Sequence, residues 1–247
     1  MNAILLSAGY GKRLKKITKT TPKCLLPIKG NPIIDIWIEK LVLAGVKKII
    51  INTHYKSKMV KKHLSNSKYK KKIIITYEKK LLGTGGTLIN NINKIKNEET
   101  FLIHVDNYTE LNISKFIKFH KNMKKKDCLV SLIYFVTKDF KDKGILKISN
   151  KKIVSKIFEK SKTYHGKNAN GAVYILSKKF LKIISKKYKN SKDFINDILI
   201  DFQGRIAAYK CNSIFLDIGT VKNYMKVKWD ILLSYIKFSI TQYIIFF

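Results

Sequence analysis

The chain has 247 residues and a formal charge of +35, with 51 Lys or Arg against 16 Asp or Glu. At 45% hydrophobic and 11% aromatic it is too apolar to be disordered, and three Pro with 12 Gly exclude collagen-like or proline-rich chains. The length suits one large α/β domain or two small ones, with enough chain to bury a core. From the start, the apolar run Asn2–Leu6 predicts a strand that ends in a Gly-bearing loop over 7–11. The helical spacing of Ile36, Ile38, Leu41 and Val42 predicts a helix over 35–44, stopped by Gly45, and a β-branched strand over 48–52 follows. A helix over 59–64, a strand over 72–77, a helix over 86–93 and a strand over 101–105 continue the alternation. Strands separated by helical stretches predict a doubly wound, Rossmann-like sheet, mixed but mostly parallel and flanked by helices. Ligands of such sheets bind at the carboxyl ends of the strands.

The second half is less regular. A strong strand is predicted over 128–135, a hairpin from Ile145–Ile148 and 153–158 around the turn at 150–152, and a strand over 172–176. The helix Lys178–Lys187 and short strands over 206–209 and 213–216 follow. These are expected to extend the same sheet, with no internal repeat and no domain linker, so residues 1–228 read as one domain. Residues 229–247 read as an apolar C-terminal helix or tail. Its last 17 residues carry one charge, Lys237, but Ser, Thr and Gln dilute a run already short for a membrane span. The expectation is a packing or homo-oligomer contact helix without stable membrane insertion.

The apolar start is too short for a signal peptide and lacks a basic leader. Cys24, Cys128 and Cys211 are too far apart for a disulfide framework or a zinc site. Both features suit the cytoplasm. The charge invites a nucleic-acid partner, yet Arg13 and Arg205 are the only arginines among 51 basic residues. Nucleic-acid readers favour the bidentate arginine fork, and these lysines are spread along the whole chain, so no nucleic-acid partner is expected. Abundant Lys, Ile and Asn together read as the imprint of A/T-rich coding on a tolerant surface. The five histidines share no ligand spacing, and no Ser-His-Asp or Cys-His arrangement stands out.

Two segments carry chemistry. In Leu6-Ser7-Ala8-Gly9-Tyr10-Gly11-Lys12-Arg13 a strand runs into a small-residue loop whose N–H groups can meet phosphate oxygens, with Arg13 able to fork onto a phosphate. The third glycine of a dinucleotide fingerprint is missing, as is the Gly-Lys-Ser/Thr of a P-loop. In Pro22-Lys23-Cys24-Leu25-Leu26-Pro27, Lys23 lies between two prolines, and the third proline of the chain, Pro32, follows closely.

Together these segments resemble the signature of the sugar-1-phosphate nucleotidyltransferase family, with Ser7 where that family usually has Ala or Gly. Further resemblances follow in order. Gly83-Thr84-Gly85-Gly86, preceded by Glu78, is similar to the family's base-contacting segment, read here as a helix start with free N–H groups. Asp106, ending a strand, and Asp217 of Asp-Ile-Gly-Thr resemble its Mg²⁺ ligands. Gly144, Glu159, Lys160 and Asn170 resemble its sugar-phosphate residues, and Asn107 is expected beside them. In Asn170-Gly171-Ala172 the family's Ala and Gly are exchanged.

The resemblance implies a nucleotide-binding half over about 1–110 and a sugar-binding half over about 111–228. Leu6, Ser7, Ala8, Gly9, Gly11, Lys12, Arg13, Lys23, Gly83 and Thr84 would hold the nucleotide. Arg13, Lys23 and Asp106 would be catalytic, with Mg²⁺ on Asp106 and Asp217. The implied substrates are an NTP and a sugar 1-phosphate, giving an NDP-sugar and pyrophosphate for glycan or cell-surface polysaccharide precursors. The run of motifs is most similar to the mannose- or heptose-1-phosphate guanylyltransferase branch, which implies GTP. Thymidylyl or cytidylyl transfer and a catalytically silent regulatory relative are the alternatives.

Overall fold

In the computed structural model, which describes residues 1–95 and 98–227, strand β1 (Asn2–Leu6) runs through the centre of a nine-stranded sheet. Ala3, Ile4 and Leu5 are fully buried. Ala3 and Leu5 belong to one apolar core and Ile4 to another, because alternate side chains of a strand leave opposite faces of the sheet. A strand covered on both faces must be apolar at every position, and this one nearly is.

Helix α1 (Lys16–Thr20), the paired short strands β2 (Pro27–Ile28) and β3 (Asn31–Pro32), helix α2 (Ile33–Leu43) and strand β4 (Lys48–Thr53) come next. Helix α2 buries Ile33, Ile34, Trp37, Ile38 and Leu41, a stripe at helical spacing. Pro32 stands just before its first turn and Gly45, at φ +83°, just beyond its end, where a left-handed residue closes a helix. Helix α3 (Ser57–Ser65), strand β5 (Ile73–Tyr77), helix α4 (Gly83–Asn91) and strand β6 (Thr100–His104) repeat the alternation.

Strand β1 pairs in parallel with β4 and β6, and β4 pairs in parallel with β5. The spatial order β6-β1-β4-β5 therefore reverses at β1. Strands are added on one side, then the chain returns to lay β6 on the other. Connections leave β1 and β6 in opposite directions, so a crevice opens at their carboxyl ends.

The rest of the chain forms β7 (Asn107–Thr109), α5 (Ile113–Lys124), β8 (Val130–Val136), β9 (Ile145–Ile148), β10 (Val154–Phe158), β11 (Asn168–Leu176), α6 (Lys178–Lys187), β12 (Ile206–Lys210) and β13 (Phe215–Asp217). Strand β11 runs antiparallel to β6, β8 and β9, and β12 parallel to β8. Strands β1, β4, β5, β6, β8, β9 and β12 thus share one direction, with β10 and β11 opposed. The expected mixed, mostly parallel sheet with flanking helices is what the chain forms.

Three departures from the sequence reading matter for the site. Strand β11 starts four residues earlier than predicted, so Asn170 and Gly171 lie within a strand. Strand β13 reaches Asp217 and pairs with β7, setting Asp217 opposite Asn107. Helix α4 starts at Gly83. Helix α5 has no predicted counterpart. Its lysines hide the buried positions Ile113, Phe116, His120 and Met123, and Asn112 caps it by accepting the Lys115 N–H at 2.9 Å. The apolar segment 229–247 and its predicted oligomer contact lie outside the described residues. Among the described residues no helix is long and apolar enough to cross a membrane.

Candidate active site

The crevice at the switch point is a cleft of about 430 Å³. Leu6, Ser7, Ala8, Gly9, Gly11, Lys12, Arg13, Lys23, Gly83, Thr84 and Asp106 all line it, so the predicted nucleotide-side residues come together. They arrive on three loops, after β1, after β5 and after β6, with Lys23 brought in by a 3-10 turn, Lys23–Leu25, that begins behind Pro22.

The loop after β1 is anchored at its root. The Ser7 N–H donates to Asn52 Oδ1 at 2.7 Å, and the Ser7 hydroxyl donates to the Asn52 carbonyl. Beyond that, the N–H groups of Ala8, Gly9, Tyr10 and Gly11 have no hydrogen-bond partner among the described residues. Clustered unpaired donors on a loop suit an anion. Gly11 stands at φ +66°, and a Cβ there would approach Thr18 Cγ2 to 2.7 Å, so the turn accepts only glycine.

Lys23 makes an ion pair with Asp106, both side chains being less than one-third exposed. Burial alone would raise the Asp106 carboxyl, but the Lys23 ammonium, with His104 assisting, overrides it and holds the group below the ordinary carboxylate range. Burial pushes the neighbouring His104 imidazole down, with Asp106 partly opposing this. Cys24 also lines the cleft, and burial pushes its thiol up to about 12, so it is no nucleophile.

The opposite wall is a buried polar network around Glu78. Asn52 Nδ2 and Thr87 Oγ1 donate to Glu78 Oε1 at 2.9 and 2.6 Å, and the Leu82 N–H donates to Oε2 at 3.1 Å. Sequence reasoning placed free N–H groups at the start of α4, and the structure corrects this. The Gly85 N–H donates to the Lys192 carbonyl at 2.9 Å, and Thr84 Oγ1 accepts the Phe194 N–H at 2.8 Å. Gly83 and Gly85 permit that contact, since a Cβ on Gly83 would come within 2.3 Å of the Lys192 carbonyl oxygen.

The predicted sugar-side residues form a second group. A Cβ on Gly144 would meet Glu159 Oε2 at 2.4 Å and Asn170 Cβ at 3.7 Å, which places these three together. Glu159 Oε2 is buried without a hydrogen-bond partner among the described residues, and burial raises its carboxyl, partly offset by Lys160. Asn170 Nδ2 donates to Tyr174 Oη at 2.8 Å. Asn107 is buried, and its Nδ2 donates to the Gly171 carbonyl at 3.1 Å, tying this group to the end of β6. Lys160 points outward, 70% exposed, with Nζ 4.0 Å from Glu159 Oε1.

Asp217 accepts the Gly219 N–H at 2.6 Å. Gly219 also faces Arg13, whose Nη2 would lie 3.0 Å from a Cβ there. The Ile218 N–H donates to the Asp106 carbonyl at 2.9 Å, so both aspartates end neighbouring segments. No group of three or more His, Cys, Asp or Glu is placed to hold a metal among the described residues. Two carboxylates are nonetheless a fitting donor set for Mg²⁺, which takes hard oxygen ligands and fills its other positions with phosphate oxygens and water.

Asn52, Thr87, Tyr10 and His104 line the cleft without having been singled out from the sequence. The signal was there for Asn52 and His104. Each is a polar residue closing an apolar strand of the parallel sheet, the position where such sheets bind ligands.

The chain is similar to known proteins. A family model described as Nucleotidyl transferase matches residues 2–233. A Sulfolobus acidocaldarius protein with a provisional mannose-1-phosphate guanyltransferase name is 27% identical over 98% of this chain, which spans 66% of that protein. The D-glycero-alpha-D-manno-heptose 1-phosphate guanylyltransferase of Campylobacter jejuni is 28% identical, covering 91% of this chain and 97% of its own length. The crystal structure of HddC from Yersinia pseudotuberculosis superposes with a TM-score of 0.74 at 29% identity, over 92% of this chain and 97% of that one.

Proposed function

The chain belongs to the nucleotidyl transferase family, and from that premise we propose that it joins an NTP to a sugar 1-phosphate, releasing pyrophosphate. One observation carries the reading: the unpaired N–H groups after β1, Lys23 and Asp106 converge on a single cleft. GTP with a mannose or heptose 1-phosphate is the favoured pair, because the C. jejuni relative bears a heptose-phosphate guanylyltransferase name.

The nucleophile is a phosphate oxygen that is already ionised, so no general base is needed. The protein's task is to hold like charges together and in line. The loop N–H groups and Arg13 would bind the β- and γ-phosphates, and Arg13 would take up charge on the departing pyrophosphate. Lys23 would neutralise the α-phosphate as it becomes five-coordinate. Glu159 Oε2, buried and unpaired, would accept a sugar hydroxyl, and Lys160 would swing in to hold the sugar phosphate. Asp106 and Asp217 would hold Mg²⁺, which when bound supplies charge neutralisation across the phosphates.

The test is pyrophosphate release from the four common NTPs, each paired with a panel of sugar 1-phosphates. Lys23→Ala and Asp106→Ala should each lower kcat/KM by at least ~10²-fold, the loss typical of one preorganised charge contact. Near-wild-type activity in either variant overturns the assignment.

A further inference from the structure

The loop after β1 is tied to Asn52 at Ser7 and to Thr18 at Gly11, and between those two residues Tyr10 makes its one side-chain hydrogen bond to the rest of the described residues. Its hydroxyl lies 2.8 Å from His54 Nε2, and His54 Nδ1 lies 2.7 Å from the Glu78 carbonyl oxygen. A carbonyl only accepts, so His54 Nδ1 donates to it, and in the neutral ring Nε2 then accepts from the Tyr10 hydroxyl. The Tyr10 ring stands edge-on to His54, with centroids 5.2 Å apart, and rests against Tyr55 at 5.6 Å. Tyr55 in turn donates to the Thr18 carbonyl at 3.0 Å, and Thr18 closes back on Gly11 by donating to its carbonyl at 3.1 Å.

The other end of this relay is the Glu78 backbone. The side chain of Glu78 fixes the Leu82 N–H, and through it the entry to α4. One chain of contacts thus joins the loop with the unpaired N–H groups to the opposite wall of the cleft. Tyr10 is itself 41% exposed, too open to serve the core.

We infer that Tyr10 and His54 are positioning residues that fix the loop after β1 in its anion-binding shape. Without them the donors of Ala8, Gly9, Tyr10 and Gly11 are held only at Ser7 and Gly11, and must be ordered when the ligand binds. The inference rests on the proposed function in that it takes the loop's ligand to be a polyphosphate.

The experiment measures binding of magnesium pyrophosphate by calorimetry, with steady-state kinetics in parallel. Tyr10→Phe and His54→Ala should each weaken pyrophosphate about 5- to 10-fold and raise the nucleotide KM by a similar factor. The sugar-phosphate KM and kcat at saturation should stay within about twofold, a split that general structural damage would not produce. The double variant should be little worse than either single one. His54→Gln, whose amide keeps one donor and one acceptor, should recover most of the affinity. Unchanged pyrophosphate affinity in Tyr10→Phe, or additive losses in the double variant, overturns the inference while leaving the proposed reaction intact. If the wild-type protein binds no pyrophosphate and transfers no nucleotide, both fall together.

Discussion

Ala172 stands at φ +50° inside β11, where the pairing with β8 jumps from Asn170 to Tyr174. An L residue in the left-handed region loses about 1–2 kcal/mol. Glycine escapes that penalty but gives back about 0.5–1 kcal/mol through the greater freedom of the unfolded chain. Ala172 packs against the core only in part, so losing its methyl removes a further few tenths of the ~0.8 kcal/mol of a fully buried one. The balance for Ala172→Gly is a gain of about 0.5 kcal/mol, or a Tm rise of about 1–2 °C in a chain of this size. The neighbouring position should respond with the opposite sign. A Cβ on Gly171 would meet the Phe215 ring at 2.9 Å and the Ile133 carbonyl oxygen at 3.0 Å, and overpacking of that kind costs about 1–3 kcal/mol. Urea unfolding followed by circular dichroism measures both, provided the m-value is unchanged. A clear loss of stability in Ala172→Gly, or a neutral Gly171→Ala, refutes this account of the two positions.

Two further outcomes are expected. At an effective dielectric constant of 20 the charges of the Lys23–Asp106 pair attract by roughly 4 kcal/mol, and partial exposure leaves a net coupling of about 1–2 kcal/mol. Lys23→Met should therefore tighten Mn²⁺ binding about 5- to 30-fold in the absence of nucleotide, read by electron paramagnetic resonance, whereas Asp106→Asn should weaken it; looser binding in Lys23→Met contradicts the pairing. Burial pushes the His120 imidazole down to about 4, with Glu99 at 3.9 Å partly opposing this, while an unfolded chain protonates it near 6.5. The stability this group contributes is present above pH 6.5 and drains as pH falls towards 4, by at most about 3 kcal/mol. His120→Gln should flatten the stability profile across that window, and parallel wild-type and variant curves would rule the residue out.

The sheet was legible because burial on both faces forces an unbroken apolar run, as in Ala3, Ile4 and Leu5. Helix α5 was not, because its exposed positions are filled so densely with lysine that Ile113, Phe116, His120 and Met123 no longer read as a stripe. The phosphate-side residues were readable because their demands are local: a turn that excludes Cβ at Gly11, and a lysine held between prolines. The Glu78 network was not readable. It joins Asn52, Thr87 and Leu82 across β4, β5 and α4, and no spacing in a single chain encodes a bond between strands. The start of α4 was misjudged for the same reason, since the carbonyl that occupies the Gly85 N–H comes from Lys192, more than a hundred residues later.

A cleft meant for a polyanion has to remain stable while empty, and here most of its charged and polar groups satisfy one another. Lys23 and Asp106 are paired, Asp217 is taken by the Gly219 N–H, and Glu78 is saturated by three donors. Still unpaired among the described residues are the row of N–H groups from Ala8 to Gly11 and Arg13, which makes no ion pair there. Of the 51 basic residues, then, only a handful bear on the chemistry. The remaining lysines raise the general attraction for anions, an effect that salt screens within about 8–10 Å at moderate ionic strength. The unpaired backbone donors are neutral and fixed in direction, so salt screens them far less. If they set the affinity, pyrophosphate binding should fall with salt by much less than a net charge of +35 would suggest. That separates a built phosphate site from a merely basic surface.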